Sequence, residues 1–290
     1  VRVQDVALSW QQAGVLTAAL AGVAVALSVT SRPRLRSIAP FARETTLISG
    51  LYALWQLAGT LSVLGTSGAF ARGDWIERTE RDWHLPAELS VQQTIVHHSV
   101  LRQAANLYYA TMHFGVLFVF LIWLFVWHRD RYPKVRRVLA LTTLVCLAIQ
   151  LVPVAPPRLL PQFGYVDTAA LDHQSVYGLG FAADQLSAMP SVHVAWAVLI
   201  GWAVARLGRG PWRWLGAVHA ALTVFVVVAT ANHFWADGIV AVAVLVACAA
   251  LENAAERAVL GLRARRQPAP EPVELPATEL SASGNGVILR

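Results

Sequence analysis

Two histidines and a carboxylate carry the chemistry that is readable in this chain. His233 and Asp237 stand four residues apart in Asn232-His233-Phe234-Trp235-Ala236-Asp237, and His193 ends Ser187-Ala188-Met189-Pro190-Ser191-Val192-His193. On a helix, that spacing puts His233 and Asp237 on one face, about one turn apart. A carboxylate there can accept from one imidazole nitrogen, fix the tautomer and leave the other nitrogen as nucleophile or base. The alternative is a helix-start pair, with Asp237 favoured by the dipole alone. Pro190 suits the first turn of a helix, where its missing N–H is no loss. Ser191 and the N–H groups of that turn would then form an anion site. His193 at its top is suited to protonating a leaving oxygen, or is a core histidine bonded to a carbonyl.

Arg158 is the third element. No other Lys or Arg lies between Arg137 and Arg206. Its planar fork, stiffened by Pro156 and Pro157, suits phosphate oxygens. A salt bridge to Asp167, Asp172 or Asp184 is the competing assignment. His113 lies about one turn below Tyr109, and both could line the pocket and contact an acceptor or lipid head group. An interhelical hydrogen bond is the alternative for His113, and packing is the expectation for His219.

The elements that must position these groups are membrane spans. The chain of 290 residues is 56% hydrophobic and 14% charged, too apolar for one soluble domain of its size. Apolar runs of spanning length fall near 11–29, 46–66, 106–127, 138–154, 190–206, 214–231 and 235–251. Backbone groups in lipid must bond internally, so each run is a helix. The predicted fold class is all-α, a polytopic transmembrane bundle of about six or seven spans. The net charge of +6 describes topology rather than nucleic-acid binding: 17 of the 23 Lys and Arg lie in 30–45, 128–137, 206–213 and after 252. These are alternate connections, which places the N-terminus outside and the C-terminus inside. The polar mouths then face the extracytoplasmic side of a plasma membrane. Arg32, Arg34 and Arg36 after the first run predict an uncleaved helix rather than a signal peptide. Cys146 and Cys248 sit inside spans and predict neither a disulfide nor a metal site.

Three regions follow: 1–100, N-terminal spans and an exterior segment; 101–255, the catalytic helical core; 256–290, a disordered cytoplasmic tail. The exterior segment 67–105, with Trp75 and Trp83 among charges, predicts an interfacial helix lying on the membrane. Adjacent His97 and His98 diverge on a helix and are poor ligand candidates. The segment 155–188, with its prolines and with Gly164, Gly178 and Gly180, is a long ordered loop of the kind on which sites are built.

Taken in order, Arg158, Pro190-Ser191-Val192-His193 and His233-x3-Asp237 resemble the motifs of the type 2 phosphatidic acid phosphatase superfamily. Those motifs run Lys-x6-Arg-Pro, Pro-Ser-Gly-His and Ser-Arg-x5-His-x3-Asp. Here Leu151 replaces the Lys, Leu159 follows the Arg, Val192 replaces the Gly, and Val226-Val227 stand in place of Ser-Arg. The thinner set is more similar to the inositol-phosphoryl-transferase branch, related to inositol phosphorylceramide synthases. The resemblance covers about 100 to 255. It implies phosphoryl transfer without metal or other cofactor, on a lipid phosphate or phospholipid head group. His233 would attack phosphorus, Asp237 would orient it, and His193 would protonate the leaving group. Arg158, Ser191 and helix-start N–H groups would hold the equatorial oxygens. Water or an alcohol or polyol acceptor would take the phosphoryl group from a phosphohistidine. A non-catalytic lipid carrier or transporter with the same polar mouth is the rival class, although transporters place ionisable groups at midspan. A haem or metal protein would require imidazoles on facing spans at matched depth.

Overall fold

The computed structural model describes residues 8–62, 67–174 and 185–266. Gly178, Gly180, Asp184 and the tail from 267 lie outside the described residues. The fold is all-α: α1 (Trp10–Val29), α2 (Pro33–Arg36), α3 (Ala39–Ser62), α4 (Ala69–Asp82), α5 (Glu88–Val96), α6 (Ser99–Trp127), α7 (Tyr132–Gln150), α8 (Thr168–Leu171), α9 (Val192–Leu207), α10 (Trp214–Ala229) and α11 (Trp235–Arg266). Every predicted apolar run lies largely within one of these helices. Helices α1, α6 and α11 and the segment Gly210–Ala229, which contains α10, are long and apolar enough to cross a membrane, and α9 is a shorter apolar helix. The last helix continues to Arg266, past the boundary expected at 255.

The core joins α6, α7, α9 and α11 through Leu124, Leu139, Cys146, Trp196, Ile200 and Leu245. The outer faces are as apolar as the inner ones. Val119, Ile122 and Val126 on α6 are 58–69% exposed, and Val246 on α11 is 62% exposed. A helix that is hydrophobic on all sides belongs in lipid or in the centre of a large core, and exposed apolar surface on this scale marks a membrane-facing bundle. Polar bonds also join the helices. Trp196 Nε1 donates to Thr143 Oγ1 at 2.9 Å across α9 and α7. The Tyr108 hydroxyl lies 2.8 Å from His219 Nδ1 and 3.0 Å from Thr223 Oγ1. His219 is therefore interhelical glue, as its position predicts.

Helices α9 and α10 touch backbone to backbone. A Cβ on Gly216 would lie 2.8 Å from Val204 Cβ, and one on Gly201 would lie 2.9 Å from the Gly216 carbonyl oxygen. Small residues permit this approach where lipid supplies no hydrophobic drive. The contact sets how closely α9, which carries His193, approaches α10, which precedes His233. Gly216→Val should lower stability by about 1–3 kcal/mol through overpacking, read as a lower thermal midpoint in detergent.

The segment 67–105, expected to hold an interfacial helix, contains α4, α5 and the first turns of α6. A turn in which His84 has φ 56° separates α4 from α5. His84 N–H donates to the Arg81 carbonyl and Leu85 N–H to the Glu80 carbonyl, a left-handed helix ending that Pro86 then prevents from continuing. The buried face of α4 is Ala69, Gly73, Ile76, Glu77 and Glu80. A Cβ on Gly73 would lie 2.7 Å from the Ala155 carbonyl oxygen, so α4 lies directly on the start of the 155–188 loop.

Candidate active site

The site is built at the start of α11, on a turn that the end of α10 dictates. Thr230 caps α10. Ala231 then takes φ 53°, donating to the Val228 carbonyl while Asn232 N–H donates to the Val227 carbonyl. This is the paired bonding of a left-handed helix end, which glycine normally occupies. An alanine there is strained by about 1–2 kcal/mol. The strain persists because the next residues are held from every side.

Asn232 Nδ2 donates to Thr230 Oγ1 at 2.8 Å, which turns its Oδ1 to accept from Arg158 Nε at 2.9 Å. Arg158 N–H also donates to the Ala231 carbonyl at 2.9 Å. The arginine is buried, and its Nη1 pairs with Asp167 Oδ2 at 2.7 Å. Asp167 is engaged as a partner, and Asp184 lies outside the described residues; Asp172 pairs instead with Arg102 through two bonds of 2.7 Å. That guanidinium holds the Asp172 carboxyl below the usual carboxylate range. Arg102 thereby ties α6 to the loop beside the site.

His233 is 4% exposed. Its Nδ1 lies 2.8 Å from the Ala188 carbonyl oxygen and 3.2 Å from Asp237 Oδ2. Both neighbours are acceptors, so Nδ1 carries the proton and Nε2 the lone pair. Nε2 is buried and has no hydrogen-bond partner. Asp237 Oδ2 also accepts from Phe234 N–H at 2.9 Å, so the carboxylate orients the imidazole and caps the helix together, uniting the two roles that spacing left open.

The Ala188 carbonyl is itself placed by a suture. Val154 N–H donates to the Leu186 carbonyl, and Ala188 N–H donates to the Val154 carbonyl at 3.2 Å. Val154 and Ser187 form an isolated parallel bridge. Val154, four residues past the end of α7, is thereby joined to Ser187, which directly precedes the histidine's acceptor.

Ser191 is the N-cap of α9, with its hydroxyl accepting from Val194 N–H at 3.4 Å. Pro190 thus precedes the helix instead of opening it. Ser191 N–H donates to the Asp237 carbonyl at 3.1 Å, pinning the starts of α9 and α11 together. The hydroxyl expected to bind an anion accepts this bond from its own helix and retains an O–H to donate.

His193, Tyr109 and His113 complete the cluster. The ring of His193 stacks on Tyr109 at 4.5 Å with an interplanar angle of 20°, meets His113 edge-on at 4.2 Å, and lies 5.7 Å from the His233 ring. His113 Nδ1 lies 3.0 Å from the Tyr109 carbonyl oxygen, which fixes its tautomer within α6. Helices α6 and α9 and the turn before α11 therefore each contribute a histidine. His97 and His98 fall at the junction of α5 and α6 and take no part. Among the described residues, no group of three or more His, Cys, Asp or Glu is arranged to hold a metal ion.

Sequence spacing missed Asn232, the partner of Arg158, and two acids from α4 and α5. Glu80 Oε1 accepts from Ala236 N–H at 2.6 Å and Glu88 Oε1 from Trp235 N–H at 3.3 Å. A signal for Glu77 and Glu80 was present: they share a helical face with Gly73 and Ile76.

The described residues bring a His–Asp pair, a second histidine and a buried arginine together around the start of α11 in an apolar helical bundle. The chain belongs to the PAP2 superfamily, the type 2 phosphatidic acid phosphatases, whose family pattern matches residues 74–251. Lipid-phosphatase-type activity at a membrane is typical of that superfamily. No curated protein and no solved structure matches the chain significantly.

Proposed function

We propose that the protein transfers or hydrolyses phosphoryl groups on a lipid phosphate or phospholipid head group through a phosphohistidine on His233. The reading rests on His233 Nε2, a buried lone-pair nitrogen without a partner, held by acceptors on Nδ1. In the first step the Nε2 lone pair forms a bond to phosphorus while the bond to the leaving alkoxide breaks. His193 gives that oxygen its proton, and Asp237 stabilises the positive charge that builds on His233. In the second step water or an acceptor alcohol gives a proton to His193 and attacks phosphorus, and the P–N bond breaks. Arg158 balances the equatorial oxygens, exchanging part of its pairing with Asp167 for the substrate. Tyr109 and His113 support the His193 ring and border the head group.

A lipid substrate is favoured by an apolar cavity of about 340 Å³ lined by α1, α3, α6, α7 and α9, with Phe114 and Trp196 in its lining. Both rings neighbour His113, at 4.1 and 6.2 Å. A hydrocarbon tail there would leave its phosphate at the histidines. In this reading seven spans cross the bilayer, the mouth faces the extracytoplasmic side, and α4 and α5 form the interfacial cover over it. The missing Lys and Ser-Arg of the family motifs suit a substrate with less phosphate charge, such as the phosphodiester of the inositol-phosphoryl-transferase branch.

The test is phosphate release and head-group transfer by purified protein in EDTA, from phosphatidic acid, a lipid pyrophosphate and phosphatidylinositol with an alcohol acceptor. Activity on at least one lipid should survive chelation undiminished. Activity restored only by added divalent metal, or none on any lipid, would move the carrier reading ahead.

A further inference from the structure

We propose that Glu80 and Glu88 are positioning residues for His233: an acid–carboxylate pair from α4 and α5 that caps the first turn of α11 and holds the histidine in place. The inference rests on the assignment of His233 as the nucleophile. The first N–H groups of a helix have no partners within it, and they are ordinarily capped by a residue just before the helix. Here the region before α11 is occupied by the site itself. Phe234 N–H is taken by Asp237, but Trp235 and Ala236 N–H are taken by carboxyls 147 and 156 residues away in sequence. The two acids thus grip the chain two and three residues beyond His233. Trp235 Nε1 adds a 2.7 Å bond to the Pro86 carbonyl, in the turn between α4 and α5.

The pairing has a definite protonation. Glu80 and Glu88 are each 3% exposed. Glu80 Oε2 is buried with no N–H or O–H donor against it, and the group beside it is the Glu88 carboxyl. Two charged carboxylates at such a place repel strongly unless one keeps its proton. A protonated Glu80 donates to Glu88 and still accepts from Ala236 N–H. The remaining groups around the pair do not supply a compensating charge. On α4, Glu77 is paired with Arg81 at 2.7 Å. From the loop, the Tyr165 hydroxyl donates to Glu77 Oε2 at 2.8 Å and reaches Glu88 Oε2 at 3.5 Å. From α11, Asp237 adds negative charge. Burial first, and then Glu88 beside it, pushes the Glu80 carboxyl up to about 9. Ionisation above that pH sets a second charge against Glu88 and weakens the grip on α11.

The experiment uses the full chain in detergent micelles with EDTA and dioctanoyl phosphatidic acid as the probe, measuring kcat and KM from pH 6 to 10. Wild type should lose kcat above about pH 9 with KM changed less than twofold. Glu80→Gln keeps both the acceptor for Ala236 and a donor toward Glu88, so its alkaline loss should disappear. Glu80→Ala should lower kcat by roughly tenfold or more at pH 7, because small misplacements of a reacting group are expensive. An alkaline limb that persists unchanged in Glu80→Gln overturns the inference. Thermal midpoints against pH give a second readout independent of activity. The folded state holds the Glu80 proton that the unfolded chain releases above its ordinary value, so this group lowers stability progressively from about pH 5 to 9 and no further beyond. Glu80→Gln should lack that slope. A flattened slope with no activity in wild type supports the capping pair while overturning the phosphatase reading. An identical slope in both proteins overturns the pair whatever the activity.

Discussion

His233→Asn should reduce phosphate release by about a thousandfold or more while leaving the fold nearly intact. The asparagine Nδ2 can stand close to the histidine Nδ1 and keep a donor toward the Ala188 carbonyl, 2.8 Å away in the native site. What it cannot supply is a lone pair at Nε2. Removal of a nucleophile typically leaves only the contribution of binding and electrostatic stabilisation. His233→Ala should lose as much activity and also leave the Ala188 carbonyl without its partner, destabilising by about 1–3 kcal/mol. The pair of variants separates chemistry from support. Equal thermal midpoints for wild type and His233→Asn, alongside the activity loss, would assign the loss to the nucleophile. Asparagine retaining more than a tenth of the wild-type rate would remove His233 from that role.

Arg158→Met should be the most damaging substitution outside the histidines. It deletes the partner of Asp167, leaves Asn232 Oδ1 without its donor, and empties a side chain that is 2% exposed. Breaking a buried ion pair from one side destabilises by about 3 kcal/mol or more. Asp167 is partly exposed and can recover some hydration, so the lower figure applies. Arg158→Lys keeps the charge and loses the planar fork. It should fold, and its kcat/KM should fall roughly a hundredfold, since a lysine cannot hold Asn232, Asp167 and phosphate in one plane. Thermal melts and steady-state kinetics on the two variants check both halves. A fully active Arg158→Lys would reduce the arginine to an anchor for the loop.

The seven apolar segments were legible because lipid and core both demand hydrocarbon, so the signal is long, continuous and independent of partners. The His233–Asp237 pair was legible because a helical turn relates residues four apart without reference to the rest of the fold. Other parts of the site have no local signature. The choice of Asp167 over Asp172 for Arg158 depends on Arg102, which arrives from α6 and claims Asp172. The helix-cap bond that Ser191 accepts from Val194 N–H has no local signature, and it leaves the hydroxyl's own O–H to donate. The acids of α4 look like a solvated face when counted against their neighbouring arginines. Their burial follows from where Gly73 lets α4 rest on the loop at Ala155.

The suture at Val154 and Ser187 has a consequence for how this site could change over time. Val154 stands four residues past α7, and its carbonyl accepts from Ala188 N–H, so the imidazole's acceptor takes its register from the end of α7. A substitution that moves the end of α7 would therefore reach His233 through two backbone bonds and one imidazole bond, without touching any residue that meets the substrate.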